Sequence, residues 1–312
     1  MQDATKKPVI SVIVCCYNPD FIALKNTVTS IAKQEGVDFE IIITDDGSKT
    51  QYKSELEAFI SERGYENVIY NFLPQNVGTV KNILSAVNLS NGKYVKTISP
   101  GDYLYDKYVL KKYVDTFNST NADIVYTGLC AYDINYNEII NICGPQRKRA
   151  WTLNGIKKAL AIDHDYITGA TVAAKKEIEV LYLDKVKDYV KYTEDVALTL
   201  LAVLDGKKIV AIKEPFVYYE YGSGISTQGA FNPLITKDLD GFYLELSKNK
   251  DRLSKKSAKI YFVEKMNFGM KKNIKLFFTS PRSFIYRFIL HFKKTKPIGK
   301  IDVEKMNQMI NP

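Results

Sequence analysis

The side chains best suited to binding a ligand each follow an apolar, β-branched stretch of the chain. Tyr17 and Asn18 come after the first such stretch, Asp46 after the second, and Asp102 after the fourth. Continuous apolar runs of this kind are typical of strands buried on both faces of a parallel sheet. Because ligands of open parallel sheets bind beyond the carboxyl ends of the strands, we expect these four side chains to form a site.

Two interpretations of Asp46 stay open from the residues alone. A carboxylate at this place can accept hydrogen bonds from a ribose hydroxyl or from the N–H of a nucleotide base. The run Asp-Asp-Gly-Ser at 45–48 is equally typical of a turn that caps the next helix.

Asp102 ends the run Ser-Pro-Gly-Asp at 99–102. Next to a diphosphate, its carboxylate would be a natural ligand for Mg²⁺ or Mn²⁺, because both cations prefer oxygen donors. The alternative is that Asp102 caps a helix, which we predict over residues 103–114.

Glu194 and Asp195 form an acidic pair that opens an apolar segment with Val196, Leu200 and Leu204 on one helical face. Acidic residues at a helix start are favoured by the helix dipole, so the pair by itself needs no catalytic role.

The elements that must hold these residues alternate along the first hundred positions. Strands are predicted at 9–15, 40–44, 68–73 and 93–98, with helices between them, one of which covers 80–89. Such alternation predicts an α/β fold with a doubly wound, mostly parallel sheet. No Gly-x-Gly-x-x-Gly follows the first strand, which disfavours a dehydrogenase.

The second half has a different pattern, with strands at 124–130 and 138–142 spaced as in a hairpin. We therefore expect three parts. They are residues 1–105, residues 106–234, and a basic helical C-terminal extension at 235–312.

Composition restricts the compartment. The four cysteines lack the paired spacing of a zinc site or of a secreted disulfide framework, so we expect reduced, buried thiols. Residues 1–8 are polar, and no window contains about 18 consecutive apolar residues, the length of a spanning helix. We expect neither a signal peptide nor a transmembrane segment, and hence a cytoplasmic protein.

Positive charge is concentrated at the C-terminal end. Residues 241–312 contain 17 basic and 5 acidic side chains, a net charge of +12, which leaves −3 for the first 240 residues. We predict that residues 273–296 form an interfacial helix, interrupted at Pro281, that binds anionic lipid at the inner face of the cell membrane and not nucleic acid. Its apolar and basic side chains are Phe277, Phe278, Phe284, Ile285, Phe288, Ile289, Phe292, Lys275, Arg282, Arg287, Lys293 and Lys294. Packing on the catalytic body, or a homodimer contact, is the alternative.

Taken together, these motifs resemble the family 2 glycosyltransferases over about residues 9–230. Segment 11–18, Ser-Val-Ile-Val-Cys-Cys-Tyr-Asn, is similar to the opening strand of that family and its aromatic contact to the base. Segment 43–48, Ile-Thr-Asp-Asp-Gly-Ser, is similar to its second motif, and segment 76–82 to a shortened Asn-x-Gly loop with the helix that follows.

The resemblance implies a GT-A fold and a nucleotide-sugar donor, with UDP the expected nucleotide. It makes residues 1–105 the nucleotide-binding half and residues 106–234 the acceptor-binding half. It places Tyr17, Asn18 and Asp46 at the nucleotide, with Lys81 as a basic residue nearby.

The run at 99–102 falls at the Asp-x-Asp region of the family, but Ser99 and Gly101 stand where acidic residues are usual. The resemblance implies that Gly101 and Asp102 contact the donor and that Asp102 holds Mn²⁺ or Mg²⁺. Whether the metal is strictly required is left open by the two missing acids.

Segment 192–198, Tyr-Thr-Glu-Asp-Val-Ala-Leu, resembles the Glu-Asp motif, which implies that Asp195 is the catalytic base and that Glu194 binds or orients the acceptor. Thr-Gly-Ala at 168–170 resembles the acceptor-side turn, which places Gly169 there. His164 could contact the sugar, although a surface or core histidine without a role is the alternative.

Residues 218–227 fall where the family often has Arg or His before a serine-rich loop over the diphosphate. Here the histidine is absent, which leaves a second protein ligand for the metal undetermined. The glycines of this segment allow a lid, in which Ser226 or Thr227 can donate to phosphate oxygens.

The implied reaction is inverting transfer of a sugar from a UDP-sugar to a saccharide or lipid-linked acceptor of a bacterial surface polysaccharide or glycoconjugate. Asp195 would deprotonate the acceptor hydroxyl, which attacks the anomeric carbon opposite the diphosphate. Two alternatives remain. One is a non-catalytic nucleotide-sugar-binding subunit, and the other is a nucleotidyltransferase, although the glycine-rich basic loop of that class is missing after the first strand.

Overall fold

The computed structural model describes residues 7–50, 52–133, 138–139, 145, 148–163, 165–221, 232–248, 270–281, 284–285 and 299–311. Within these ranges ten strands form one mixed sheet with helices on both faces. Three predicted site residues, His164, Ser226 and Thr227, lie outside the described residues, as do Cys143 and most of the segment 273–296.

The first part of the chain forms the predicted parallel sheet, with strands in the order β3-β2-β1-β4. Its elements are β1 (Ile10–Cys16), α1 (Phe21–Ala32), β2 (Phe39–Asp45), α2 (Lys53–Glu62), β3 (Val68–Phe72), α3 (Thr79–Leu89) and β4 (Tyr94–Ile98). The apolar runs are buried on both sides, as their composition predicts.

The second part extends this sheet with mixed directions. Its elements are β5 (Tyr103–Leu104), α4 (Val109–Thr120), β6 (Ile124–Asp133), β7 (Glu138–Ile139), α5 (Ile156–Ala161), β8 (Val172–Lys175), α6 (Lys176–Val186), α7 (Glu194–Leu204), β9 (Ile209–Glu220) and α8 (Pro233–Lys248). Strand β8 runs antiparallel between β4 and β6, and β9 runs parallel to β6. Strands β6 and β7 pair antiparallel, as the hairpin prediction requires.

The predicted helix over 103–114 is wrong at its start. Tyr103 and Leu104 form β5, which pairs antiparallel with Tyr218 and Val217 of β9, and helix α4 begins at Val109. The long-range strand pairing buries both β5 side chains and overrides the local helical pattern. Asp102 therefore precedes a strand and does not cap a helix.

Two apolar layers hold the helices to the sheet. Side chains of β1, β2 and β4 alternate, so that Ile13, Ile42 and Val95 face α3, α6 and α7, whereas Val12 and Ile41 face the other layer, with α1, α2 and α4. Helix α8 belongs to the first layer through three buried side chains, Phe242, Tyr243 and Leu246. Burial on both faces leaves the strand ends as the place where polar side chains can meet.

The described C-terminal residues form α9 (Met270–Thr279), β10 (Gly299–Lys300) and α10 (Val303–Ile310). Strand β10 pairs with β7, and Ile301 and Met306 are buried in a cluster with Tyr103 and Tyr132. This end of the chain thus packs against the sheet. None of the described helices is long and apolar enough to cross a membrane.

Candidate functional site

Strand register brings several of the predicted site residues to one edge of the sheet. Cys16 pairs with Asp45 and Val14 with Ile98, so the loops after β1, β2 and β4 leave the sheet side by side. Because β8 runs antiparallel to β4, the 3-10 turn before it, Gly169–Thr171, lies at this same edge. The loops with Tyr17, Asp46, Asp102 and Gly169 therefore converge.

Asp46 holds the loop that leads into α3. Its two carboxylate oxygens accept the N–H groups of Val77 and Gly78 at 2.7 and 2.9 Å. The glycine after it, Gly47, has a φ of 68°, and a Cβ there would lie 2.4 Å from the Gln75 backbone. Burial raises the pKa of Asp46, while the two N–H bonds act against that rise.

Asn18 ties the first loop to the second. It lies in the left-handed region at φ 46°, its N–H donates to the Ser48 hydroxyl, and its side-chain oxygen accepts the Lys49 N–H at 2.9 Å. The Tyr17 ring beside it is 49% exposed, so it is available to stack on a ligand. The structure therefore places Tyr17, Asn18 and Asp46 in adjoining loops.

The loop at 99–102 is a tight turn held from three sides. The Thr27 hydroxyl donates to the Asp102 carbonyl and accepts the Gly101 N–H, and the Tyr132 hydroxyl donates to the Gly101 carbonyl at 3.4 Å. Gly101 has a φ of 96°, and a Cβ there would lie 2.7 Å from the Glu220 carboxylate. Both the positive φ and the lack of space for a Cβ therefore favour glycine at this position.

Asp102 is a buried carboxylate in a charged environment. Its oxygen accepts the Glu220 N–H at 3.3 Å, and burial raises its pKa to about 8 against the opposing effect of Lys96. Lys96 lies fully buried in β4, donates to the carbonyls of Thr97 and Ala170, and has a pKa lowered by burial to about 7. The like charge of the Glu220 carboxylate also raises the pKa of Asp102.

Asp102 and Glu220 fit a divalent cation whose remaining ligands come from substrate phosphates. Among the described residues no group of three or more His, Cys, Asp or Glu could hold a metal ion. Mg²⁺ is commonly held by only one or two carboxylates together with substrate phosphates, and Asp102 with Glu220 supplies that number. A cation would also offset the burial that raises the pKa of Asp102.

Asp195 lies at the start of α7, as predicted for the acidic pair. Its two oxygens accept the N–H groups of Val196 at 2.7 Å and Gly169 at 3.0 Å. Burial raises the pKa of Asp195 to about 6, which leaves the group ionised at neutral pH. The pKa of Glu194 is raised well above its usual range by burial and by the Asp195 charge.

A cavity of about 60 Å³ lies between the loop at 99–102, here called the donor-side loop after its predicted role, and the acidic pair Glu194–Asp195. Ser99 lies on its wall together with Gly169, Glu194 and Asp195, while aliphatic side chains of β4 and α7 complete it. Glu179 of α6 also lines it, and burial raises the pKa of that side chain to about 7. The predicted residues Gly169, Glu194 and Asp195 therefore share one cavity with Ser99, whereas Tyr17, Asn18, Asp46, Gly101 and Asp102 do not line it.

The Lys81 side chain is 47% exposed, and its ammonium pairs with Asp188 at 3.4 Å on the surface. A different lysine, Lys191, lowers the pKa of Asp46 electrostatically and packs against Gly78.

Sequence reasoning missed four charged residues of this edge, namely Lys96, Glu179, Lys191 and Glu220. Only Lys96 carried a local signal, as a cation inside an apolar strand. The others come from α6, the loop before α7 and the end of β9, which only the folded chain brings together.

Comparison with known proteins identifies relatives in sequence. A family model described as glycosyl transferase family 2 matches residues 11–175, more than half of the chain. An uncharacterized glycosyltransferase of Methanocaldococcus jannaschii is 24% identical over 179 residues, 57% of this chain and 60% of that protein. The chain thus matches less than two thirds of the length of that relative.

Solved structures share the fold. TarS 1–349 of S. aureus in complex with UDP-GlcNAc superposes with a TM-score of 0.56 at 20% identity, covering 97% of this chain and 78% of that one. The mannosyltransferase PcManGT of Pyrobaculum calidifontis, in complex with GDP-Man and Mn²⁺, gives a TM-score of 0.58 at 13% identity, with coverage of 94% and 78%. The expected GT-A-type α/β fold is confirmed.

Proposed function

The chain belongs to glycosyl transferase family 2, and from that membership we propose that it is an inverting glycosyltransferase that moves a sugar from a UDP-sugar to a saccharide acceptor. The observation that carries this proposal is Asp195, an ionised carboxylate on the cavity that also borders the donor-side loop.

Asp195 is suited to act as the general base. A base works best when its pKa lies near the operating pH, and its pKa of about 6 meets that condition. The N–H groups of Gly169 and Val196 hold the carboxylate in one orientation. In the proposed step Asp195 takes the proton of an acceptor hydroxyl, whose oxygen bonds to the anomeric carbon as the nucleoside diphosphate leaves from the opposite face. Configuration at that carbon inverts.

The donor nucleotide is proposed to lie over the loops after β1 and β2. The exposed Tyr17 ring would stack on the base, while Asn18 and Asp46 would position base and ribose. UDP-GlcNAc bound to TarS supports a uridine donor, and GDP-Man bound to PcManGT is the alternative that a binding assay must separate. Lys81 stays a proposed helper whose ammonium would have to leave Asp188.

Asp102 and Glu220 are the residues proposed to hold Mn²⁺ or Mg²⁺. When bound, the cation would neutralise charge on the diphosphate, so the leaving group needs no proton. The Mn²⁺ complex of PcManGT supports the cation, and Gly101, which keeps the turn beside Glu220 open, is proposed to lie against the diphosphate.

The acceptor is proposed to be a growing bacterial surface saccharide or glycoconjugate held at the inner face of the membrane. Three apolar side chains of α9 support a membrane contact, because Ile274, Phe277 and Phe278 are 50%, 45% and 80% exposed beside Lys275. An exposed apolar face flanked by lysine is what an interfacial helix requires. Gly169 and Glu194 are the described residues proposed to meet the acceptor.

The deciding experiment measures UDP release from a panel of UDP-sugars, with and without Mn²⁺ and a saccharide acceptor. We expect release that depends on the acceptor, and product analysis that shows an inverted anomeric linkage. Donor binding without any turnover would identify a nucleotide-sugar-binding subunit instead. Binding of GDP-sugars alone would refute the uridine assignment.

A further inference from the structure

One buried carboxylate outside the cavity organises the loop that precedes the acidic pair. Asp238 of α8 is 8% exposed and accepts the backbone N–H groups of Lys191, Tyr192 and Thr193 at 2.7, 2.8 and 2.9 Å. The Thr193 hydroxyl donates to the same carboxylate at 2.9 Å. Three consecutive amides and a hydroxyl thus converge on one side chain that lies 45 residues further along the chain.

This loop is joined to both halves of the site. The Thr193 carbonyl accepts the Ala197 N–H in the first turn of α7, so the loop sets where Glu194 and Asp195 stand. At its other end, the Lys191 carbonyl accepts the Val80 N–H at 3.1 Å.

The same end of the loop, at Lys191, packs against Gly78 in the turn before α3. A Cβ on Gly78 would lie 2.2 Å from the Lys191 side chain, so the two segments are in close contact. The Gly78 N–H in turn donates to Asp46. A continuous set of backbone contacts therefore connects the carboxylate proposed for the nucleotide to the proposed base.

We propose that Asp238 is a positioning residue that sets the place of Asp195. This inference rests on the proposed function, because it assigns Asp195 as the base. A carboxylate is required because it can only accept hydrogen bonds, and all four groups that face it are donors. An asparagine would turn an N–H₂ group towards at least one of these donors and leave it unpaired.

Asp238→Asn tests the proposal, with Glu245→Gln as the control. Glu245 lies on the same helix, and its exposed carboxylate pairs with Lys248 at 2.6 Å. Three quantities are measured on folded protein: kcat at saturating donor and acceptor, the Kd of UDP, and amide hydrogen exchange in 191–196.

For Asp238→Asn we expect kcat to fall by about tenfold or more, since misplacing a catalytic group by 1 Å can cost ~10²-fold. The Kd of UDP should change by less than about threefold, and exchange in 191–196 should rise. The control should leave all three quantities unchanged. A variant with normal kcat, or one that loses kcat with wild-type exchange in the loop, overturns the positioning role.

Thr193→Val keeps the inference testable if Asp238→Asn does not fold. It removes only the hydroxyl donor, and we expect a smaller fall in kcat at constant Kd for UDP, with faster exchange in the loop. Unchanged kcat and exchange would overturn the proposal. If the wild-type enzyme transfers no sugar, the proposed function fails, while the exchange data still decide whether Asp238 orders the loop.

Discussion

The backbone N–H of Gly169 donates a 3.0 Å hydrogen bond to the carboxylate of Asp195, across 26 residues of chain. Gly169 begins the turn before β8, and Asp195 lies in the first turn of α7. The bond joins two elements that line the cavity, and it stabilises the ionised form of a buried acid.

Replacement of the proposed base should abolish sugar transfer but leave the affinity for UDP unchanged. In Asp195→Asn we expect kcat to fall by about 10²–10⁴-fold, the usual contribution of a general base. Calorimetry should give a Kd for UDP close to that of the wild type, because the side chain acts on the acceptor. A variant that keeps more than about a tenth of wild-type kcat is inconsistent with the assignment.

Gly169→Ala should impair the same step by crowding. A Cβ at this position would lie 3.1 Å from the Asp195 Cβ and 3.3 Å from its carboxylate oxygen, so the base must shift. We expect kcat to fall about tenfold, in keeping with small displacements of catalytic groups, with UDP affinity retained. Gly241→Ala is the control, because its Cβ would meet a single atom at 3.7 Å. Equal kcat values for the two variants would contradict the prediction.

The acid limb of the pH profile should follow Asp195. Burial raises its pKa to about 6, and the base must be ionised to act, so kcat/KM should fall as the pH drops through about 6. Burial and the neighbouring Asp195 charge raise the pKa of Glu194 well above its usual range. We expect the apparent pKa of the acid limb to be the same in Glu194→Gln as in the wild type. A shift of a full pH unit would contradict this and would mean that the limb reports the coupled titration of both acids.

The two donor-side carboxylates should differ in their response to metal. Asp46→Ala and Asp102→Ala should both weaken UDP binding, but only Asp102→Ala should remove the effect of Mn²⁺ on that binding. Glu220→Gln should reduce the Mn²⁺ effect, because Glu220 is proposed as the second oxygen donor. Calorimetry with added Mn²⁺ or with EDTA measures this directly. An identical metal response in wild type and Asp102→Ala would refute the ligand role.

The exposed face of α9 should bind anionic lipid. We expect Phe277→Ser with Phe278→Ser to reduce co-sedimentation with anionic vesicles several-fold, and high salt to weaken binding, since each basic residue near such a surface contributes about 1 kcal/mol. Leu89→Ser is the control, because Leu89 is 47% exposed at the end of α3. Equal recovery with neutral and anionic vesicles would contradict the electrostatic part.

The sequence by itself determined the alternating first half and the donor-side loops. Buried parallel strands need continuous apolar runs, and the residues after such runs must emerge at one sheet edge, so Tyr17, Asp46 and Asp102 could be named in advance. The acidic pair could likewise be placed at a helix start from local pattern alone, because both the helix and its first turn are encoded within a dozen residues.

Only the tertiary structure decided which side chains support those loops. The Glu220 N–H at the end of β9 donates to Asp102, and the Lys96 ammonium donates to the Ala170 carbonyl. Asp238 accepts the Thr193 N–H from 45 residues further along the chain. The helix expected over 103–114 failed for the same reason, since pairing of β5 with β9 outweighs local helical preference. Hydrogen bonds and charge effects depend on distance in space, and residues this far apart in the chain carry no local pattern that reveals the distance between them.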